Sequence, residues 1–166
     1  MATERPTLHV RDAMPADAAF VAEFNRRLAW ETEGKRLDAE VLARGVRLAL
    51  EKPEYCRYFL AEVGGEIVGQ TMLTYEWSDW RSGMFWWIQS VYVVAEQRGR
   101  GVFRALFEHV QRLAKATPEV CGLRLYVEHQ NTAAQTTYSR LGMAPSGHLL
   151  YELDWSGVGS PSTGAG

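Results

Sequence analysis

The run Gln97-Arg98-Gly99-Arg100-Gly101-Val102-Phe103 gathers the residue types that hold an anion. Glycine allows positive φ and lets a phosphate approach the backbone closely. Arg98, Arg100 and Arg104 supply positive charge. The first N–H groups of a helix have no internal partner and lie at the positive end of its dipole. The spacing excludes two common phosphate cradles. A P-loop needs Lys-Ser/Thr after its last glycine, and Val102-Phe103 stands there. The dinucleotide fingerprint needs a third glycine where the chain has Arg104. An ordinary β-to-α turn with solvated arginines would carry the same residues.

The elements that must position this run are legible on both sides of it. Val91-Tyr92-Val93-Val94 is β-branched and aromatic, which predicts a buried strand. Val102, Phe103, Leu106, Val110 and Leu113 recur at helical spacing and predict an amphipathic helix. Upstream, Leu8 to Arg11 predicts a short strand. Phe20, Val21, Phe24 and Leu28 predict a helix, broken at Glu31 to Lys35 with Gly34 as its stop. Asp38 is placed to cap a second helix carrying Val41, Leu42 and Val46. Tyr55–Val63, Ile67–Tyr75 and Met84–Val94 predict a three-strand meander, its first turn made by Gly64-Gly65. Leu123–Val127 predicts a strand parallel to Met84–Val94, because a helix intervenes. A helix over Asn131–Leu141, stopped by Gly142, and a last strand over His148–Leu153 complete the domain, taken as residues 1–155. The tail 156–166 is Gly, Ser, Pro and Thr with little to bury, and is expected to be disordered.

Composition narrows the function classes. The chain has 166 residues, enough for one domain and one substantial core. Its formal net charge of −2 gives no basic footprint for nucleic acid. No apolar run approaches the ~20 residues of a membrane span. The opening Met1-Ala2-Thr3-Glu4-Arg5-Pro6 has no apolar signal core, so a cytoplasmic location is expected. Cys56 and Cys121 lack metal-ligand spacing and are read as buried free thiols; no metal is expected.

A second run, Asn131-Thr132-Ala133-Ala134-Gln135-Thr136-Thr137-Tyr138, places Asn131 and Tyr138 two helical turns apart on one face. Together the two runs resemble the GCN5-related N-acetyltransferase (GNAT) family. Arg98 and Gly101 match its Arg/Gln-x-x-Gly-x-Gly/Ala loop, with Phe103 where Gly or Ala is usual. Asn131, Ala134 and Tyr138 match its Asn-x-x-Ala-x-x-x-Tyr run, and Met143 stands for the usual Phe. The resemblance covers about residues 8–155. It implies an α/β (α+β) fold, a mixed central sheet of about six strands flanked by about four helices. Two of its parallel strands splay apart to admit acetyl-CoA as cosubstrate. It implies cofactor contacts from Val91, Val93, Gln97, Arg98, Gly99, Arg100, Gly101, Val102, Phe103, Asn131 and Tyr138.

The activity implied is acetyl transfer to a primary amine, with a small-molecule acceptor expected. Val91 N–H would meet the developing oxyanion. Tyr138, with an ordinary pKa of about 10, would protonate the leaving thiolate. A base for the amine could be Glu76, Glu128, Glu31 or Glu33, with His129 behind them. Glu76 ranks first because its tryptophan neighbours would raise its pKa by desolvation. Glu31 and Glu33 fall in a segment the family uses to shape the acceptor site. Trp77, Trp80, Trp86 and Trp87 flank one turn, and strand alternation sends Trp86 and Trp87 to opposite faces. They read either as core plus a partner surface or as an acceptor wall, Trp80 and Trp86, that meets an ammonium through cation–π contact. The competing readings are an inactive CoA-binding sensor or interaction module and an O-acyl or longer-acyl transferase. The exposed meander edge is compatible with a homodimer.

Overall fold

Apolar alternation along five segments builds one sheet, and the amphipathic helices between them cover both of its faces. The computed structural model describes residues 7–157. The opening residues behind the signal-peptide reading, and the expected tail from position 158, lie outside the described residues. The elements are β1 (Leu8–Asp12), α1 (Ala18–Glu33), α2 (Ala39–Glu51), β2 (Arg57–Val63), β3 (Glu66–Ser78), β4 (Gly83–Val93), α3 (Val102–Ala116), β5 (Val120–Leu125) and α4 (Thr132–Arg140). The strand order is β1-β2-β3-β4-β5. The first four strands are antiparallel and β5 runs parallel to β4, which makes the sheet mixed, as expected.

The chain divides into two compact units, residues 1–125 with the sheet and α1 to α3, and residues 126–166 with α4.

Local chemistry explains most boundaries. Gly64 and Gly65 have φ of 60° and 84°, the positive pair that a tight β2–β3 hairpin requires. Asp38 Oδ1 accepts from the N–H groups of Glu40 at 3.0 Å and Val41 at 2.9 Å, capping α2. Helix α1 continues through Glu33, so Glu31 and Glu33 lie in its last turn and not in the expected loop. Gly34, left-handed at φ 63°, is what stops the helix.

Three expectations change. His148–Leu153 forms no strand, so the described sheet has five strands where about six were expected. Apolar alternation encodes a period but no partner, and Leu149, Leu150, Tyr151 and Leu153 remain exposed. Strand β5 lies earlier than Leu123–Val127, because its ladder with β4 runs from Met84–Val120 to Ile88–Leu125. Cys56 is a buried free thiol, whereas Cys121 is exposed on β5, an edge strand of the described sheet.

Strand β2 displays the layering. Tyr58 and Leu60 join Val21 of α1 and Val46 of α2 in one apolar cluster. Phe59, between them, turns to α3, where its ring lies 5.0 Å from that of His109. Helix α3 buries Val102, Leu106, Phe107, Val110 and Ala114. Full burial of a large apolar side chain is worth roughly 1.5–3 kcal/mol. That stripe pins α3 and fixes its N-terminus just beyond the end of β4.

Candidate functional site

The cradle is built by the handover from β4 to α3. Val94 N–H donates to Val68 O at 2.9 Å, the last tie to β3. A 3-10 turn at Ala95–Gln97 follows, then Arg98 in extended conformation. Gly99 and Gly101 have φ of 73° and 87°. A Cβ at either glycine would meet nothing within 4 Å, so conformation and not space is what demands glycine here. Gly101 is the N-cap of α3, without a side-chain cap and without an acidic residue in the first turn. The first helical bond runs from Ala105 N–H to Gly101 O at 2.9 Å. The N–H groups of Val102, Phe103 and Arg104 therefore precede any helical acceptor, at the positive end of the dipole. Arg100 and Arg104 are exposed beside them. Val102 is buried and Phe103 packs its ring on Phe107, centroids 6.2 Å apart. The bulky residue at the usual Gly/Ala position is thus accommodated along its own helix.

Arg98 is part of the frame. Its Nε donates to Val93 O at 2.8 Å and its Nη2 to Glu31 Oε2 at 2.6 Å. Tyr92 OH donates to Glu31 Oε1 at 2.9 Å. The guanidinium holds the Glu31 carboxyl below the usual range, helped by the Tyr92 hydroxyl. Glu31, expected to face an acceptor, instead ties the end of α1 to the cradle. Glu33 pairs with Lys35 at the surface.

Upstream of the cradle, β4 is irregular. Gln70 of β3 stands opposite Tyr92 and Met72 opposite Gln89, so Thr71 faces both Ser90 and Val91. Ser90 has φ 50°, a left-handed conformation that costs a non-glycine residue about 1–3 kcal/mol. The β4–β5 ladder ends at Ile88, so Val91 and Val93, both half-buried, lie where β4 has lost its parallel neighbour. Two residues that the sequence reading passed over attend this bulge. Gln70 Nε2 donates to Ser90 O at 3.2 Å and Thr71 Oγ1 to Gln89 O at 3.3 Å. No sequence signal marked them: β3 also carries Glu66, Thr74, Glu76 and Ser78, and the structure alone shows that Gln70 and Thr71 are buried.

The expectation for Glu76 is reversed. Its Oε2 accepts from Trp87 Nε1 at 2.5 Å and from Arg124 Nη1 at 3.0 Å. These donors hold its carboxyl below the ordinary value, led by the indole N–H. The Trp87 indole acts as a hydrogen-bond donor, and its pull outweighs the desolvation that would raise the carboxyl. Trp86 is buried and meets Tyr75 edge-on at 6.2 Å. Trp80 is 91% exposed, so these two tryptophans do not form one packed surface.

In the second unit, Asn131 Oδ1 accepts from Ala134 N–H at 3.0 Å and caps α4. Gln135 Nε2 donates to the carbonyls of Glu128 at 3.0 Å and His129 at 2.9 Å, fixing the approach to the helix. Glu128 and His129 are exposed. Tyr138 is half-buried, and burial pushes its hydroxyl pKa up. It therefore keeps its proton at neutral pH.

Among the described residues no group of three or more His, Cys, Asp or Glu could hold a metal ion. No helix among them is long and apolar enough to cross a membrane. The family model of the acetyltransferase (GNAT) family matches residues 17–143. No curated protein matches the chain. A possible acetyltransferase from Clostridium difficile 630 is 42% identical, with a TM-score of 0.83, covering 89% of this chain and 97% of that one. A predicted acetyltransferase with acetyl-CoA from Clostridium acetobutylicum shares the fold at 17% identity and TM-score 0.72, covering 89% and 96%. So does an aminoglycoside acetyltransferase from an uncultured soil metagenomic sample, at 21% identity and TM-score 0.69, covering 90% and 99%. The chain belongs to the GNAT acetyltransferase family.

Proposed function

We propose that this protein transfers the acetyl group of acetyl-CoA to a primary amine of a small molecule. The observation that carries the reading is the uncapped, acid-free N-terminus of α3 behind Gly99 and Gly101. It directly follows a stretch of β4 that has left its parallel neighbour. Acetyl-CoA supplies an activated acyl carbon and a thiolate leaving group. The cradle N–H groups from Gln97 to Phe103 receive the pyrophosphate, with Arg100 and Arg104 adding positive charge. Backbone groups of Val91 and Val93 pair with the pantetheine arm, as an added strand would. Val91 N–H receives the charge that develops on the thioester oxygen. On the family resemblance Tyr138, whose hydroxyl is protonated at neutral pH, donates a proton to the departing sulfur. The Asn131 side chain supports the cofactor arm from the start of α4.

The test is release of free CoA thiol across a panel of small amines, with hydrolysis in the absence of amine as baseline. At least one amine is expected to raise the rate well above hydrolysis. Tight acetyl-CoA binding without transfer to any amine would return the protein to the class of CoA-binding modules.

A further inference from the structure

Beneath the β4 bulge lies a polar network that the fold does not need for its core. Gln70 is fully buried. Its Nε2 donates to Ser90 O at 3.2 Å and to Asn25 Oδ1 at 2.7 Å. Asn25 Nδ2 donates in turn to Tyr58 OH at 3.0 Å. Burial raises the pKa of the Tyr58 hydroxyl, so it stays protonated. Ser90 is therefore held at its carbonyl from β3, and Asn25 of α1 joins Gln70 to Tyr58 of β2. Thr71 secures the preceding carbonyl, Gln89 O, at 3.3 Å.

The energetics argue against a purely structural role. Gln70 Oε1 is buried and has no hydrogen-bond partner among the described residues, which costs about 1–3 kcal/mol. Ser90 at φ 50° stores a comparable strain. A methionine at 70 and a regular β4 would avoid both costs. Strain of this size persists only where neighbouring groups over-determine it. The residue next to Ser90 is Val91, whose N–H carries the oxyanion role in the acetyl-transfer reading.

We infer that Gln70, backed by Asn25 and Tyr58, is a positioning residue that locks Ser90 left-handed and so aims Val91 N–H at the thioester carbonyl. The inference rests on the acetyl-transfer reading for its chemistry but not for its conformational half. Gln70 touches no substrate. It acts through the backbone of Ser90.

The experiment compares Gln70→Met, Asn25→Ala and the double variant Gln70→Met/Ser90→Gly with the parent. The backbone φ at position 90 is read by NMR, from the HN–Hα coupling and Cβ shift where serine is present and from the HN–Hα couplings alone in the double variant. Acetyl transfer is measured with the best amine of the panel. In Gln70→Met, Ser90 is expected to leave the left-handed region, and kcat to fall about 100-fold with the KM for acetyl-CoA little changed. Asn25→Ala is expected to produce a smaller loss in the same direction, and it serves if Gln70→Met does not fold. Glycine adopts positive φ freely, so Ser90→Gly in the Gln70→Met background should restore most of kcat. A merely structural role would not be rescued this way. Ser90 remaining left-handed in both single variants, or kcat unchanged when it does not, would overturn the inference. If the parent acetylates no amine, the functional reading fails, and the NMR result alone decides whether Gln70 holds the bulge.

Discussion

At the scale of single residues, the decisive contrast is between Tyr138 and Glu76. Both were readable as catalytic from their neighbours in sequence, but their surroundings differ in kind. Burial raises the Tyr138 pKa, and the hydroxyl stays protonated through neutral pH. Tyr138→Phe is expected to lower kcat about 100-fold while acetyl-CoA affinity is retained, as for loss of a positioned acid. A calorimetric titration beside steady-state kinetics separates the two effects. Glu76 has two donors, and its pKa moves down, away from that of a base poised near neutrality. Glu76→Gln should therefore leave the acetylation rate within about twofold of the parent, since exposed pairs of this kind contribute little. A large fall in kcat with an altered acid limb of the pH profile would restore Glu76 as the base.

Elements follow from sequence where the signal is local. Gly64-Gly65, Asp38 and Gly34 each fix a boundary through their own backbone or side chain, and the structure bears them out. The bulge at Ser90 was not legible, because its cause lies across the sheet. Gln70 and Thr71 reach it from β3 and Asn25 supports Gln70 from α1. Likewise His148–Leu153 has a strand-like period, but a period names no partner strand, and it pairs with none among the described residues. The half-buried pair between Arg11 of β1 and Asp17 at the start of α1 makes a prediction at this scale. Asp17 accepts from Arg11 Nη1 at 2.7 Å and Nη2 at 3.0 Å and from Met14 N–H at 2.7 Å. Arg11 and the Met14 N–H hold its carboxyl below the ordinary value, against the cost of burial. The contribution is thus complete above the unfolded pKa of about 3.9 and is lost as pH falls through the lower folded value. Asp17→Asn should cost roughly 2–3 kcal/mol at pH 7, read from urea denaturation, and the difference from the parent should shrink toward pH 2.

For the whole molecule, the four helices stand where the sequence placed them, whereas one expected strand, His148–Leu153, does not form. The cradle was legible because its parts are contiguous, a strand end, two glycines and a helix start. What sequence could not give was the employment of each charge. Arg98 holds Glu31 and the end of β4, while Arg100 and Arg104 stand exposed by the open helix terminus. Raising ionic strength should therefore weaken acetyl-CoA binding through Arg100 and Arg104, and Arg100→Ala/Arg104→Ala should flatten that salt dependence. The acetyl-transfer proposal stands or falls on the α3 N-terminus as the pyrophosphate site. The measurement that tests it most directly is calorimetric titration of the parent, Gly101→Ala and Gly101→Glu with acetyl-CoA. Both variants bear the same left-handed strain at φ 87°, and neither Cβ meets a neighbour, so they differ in charge at the cradle. The parent is expected to bind with micromolar affinity, Gly101→Ala more weakly, and Gly101→Glu not at all in a protein that still unfolds cooperatively. Acetyl-CoA bound by Gly101→Glu as tightly as by Gly101→Ala would contradict that placement.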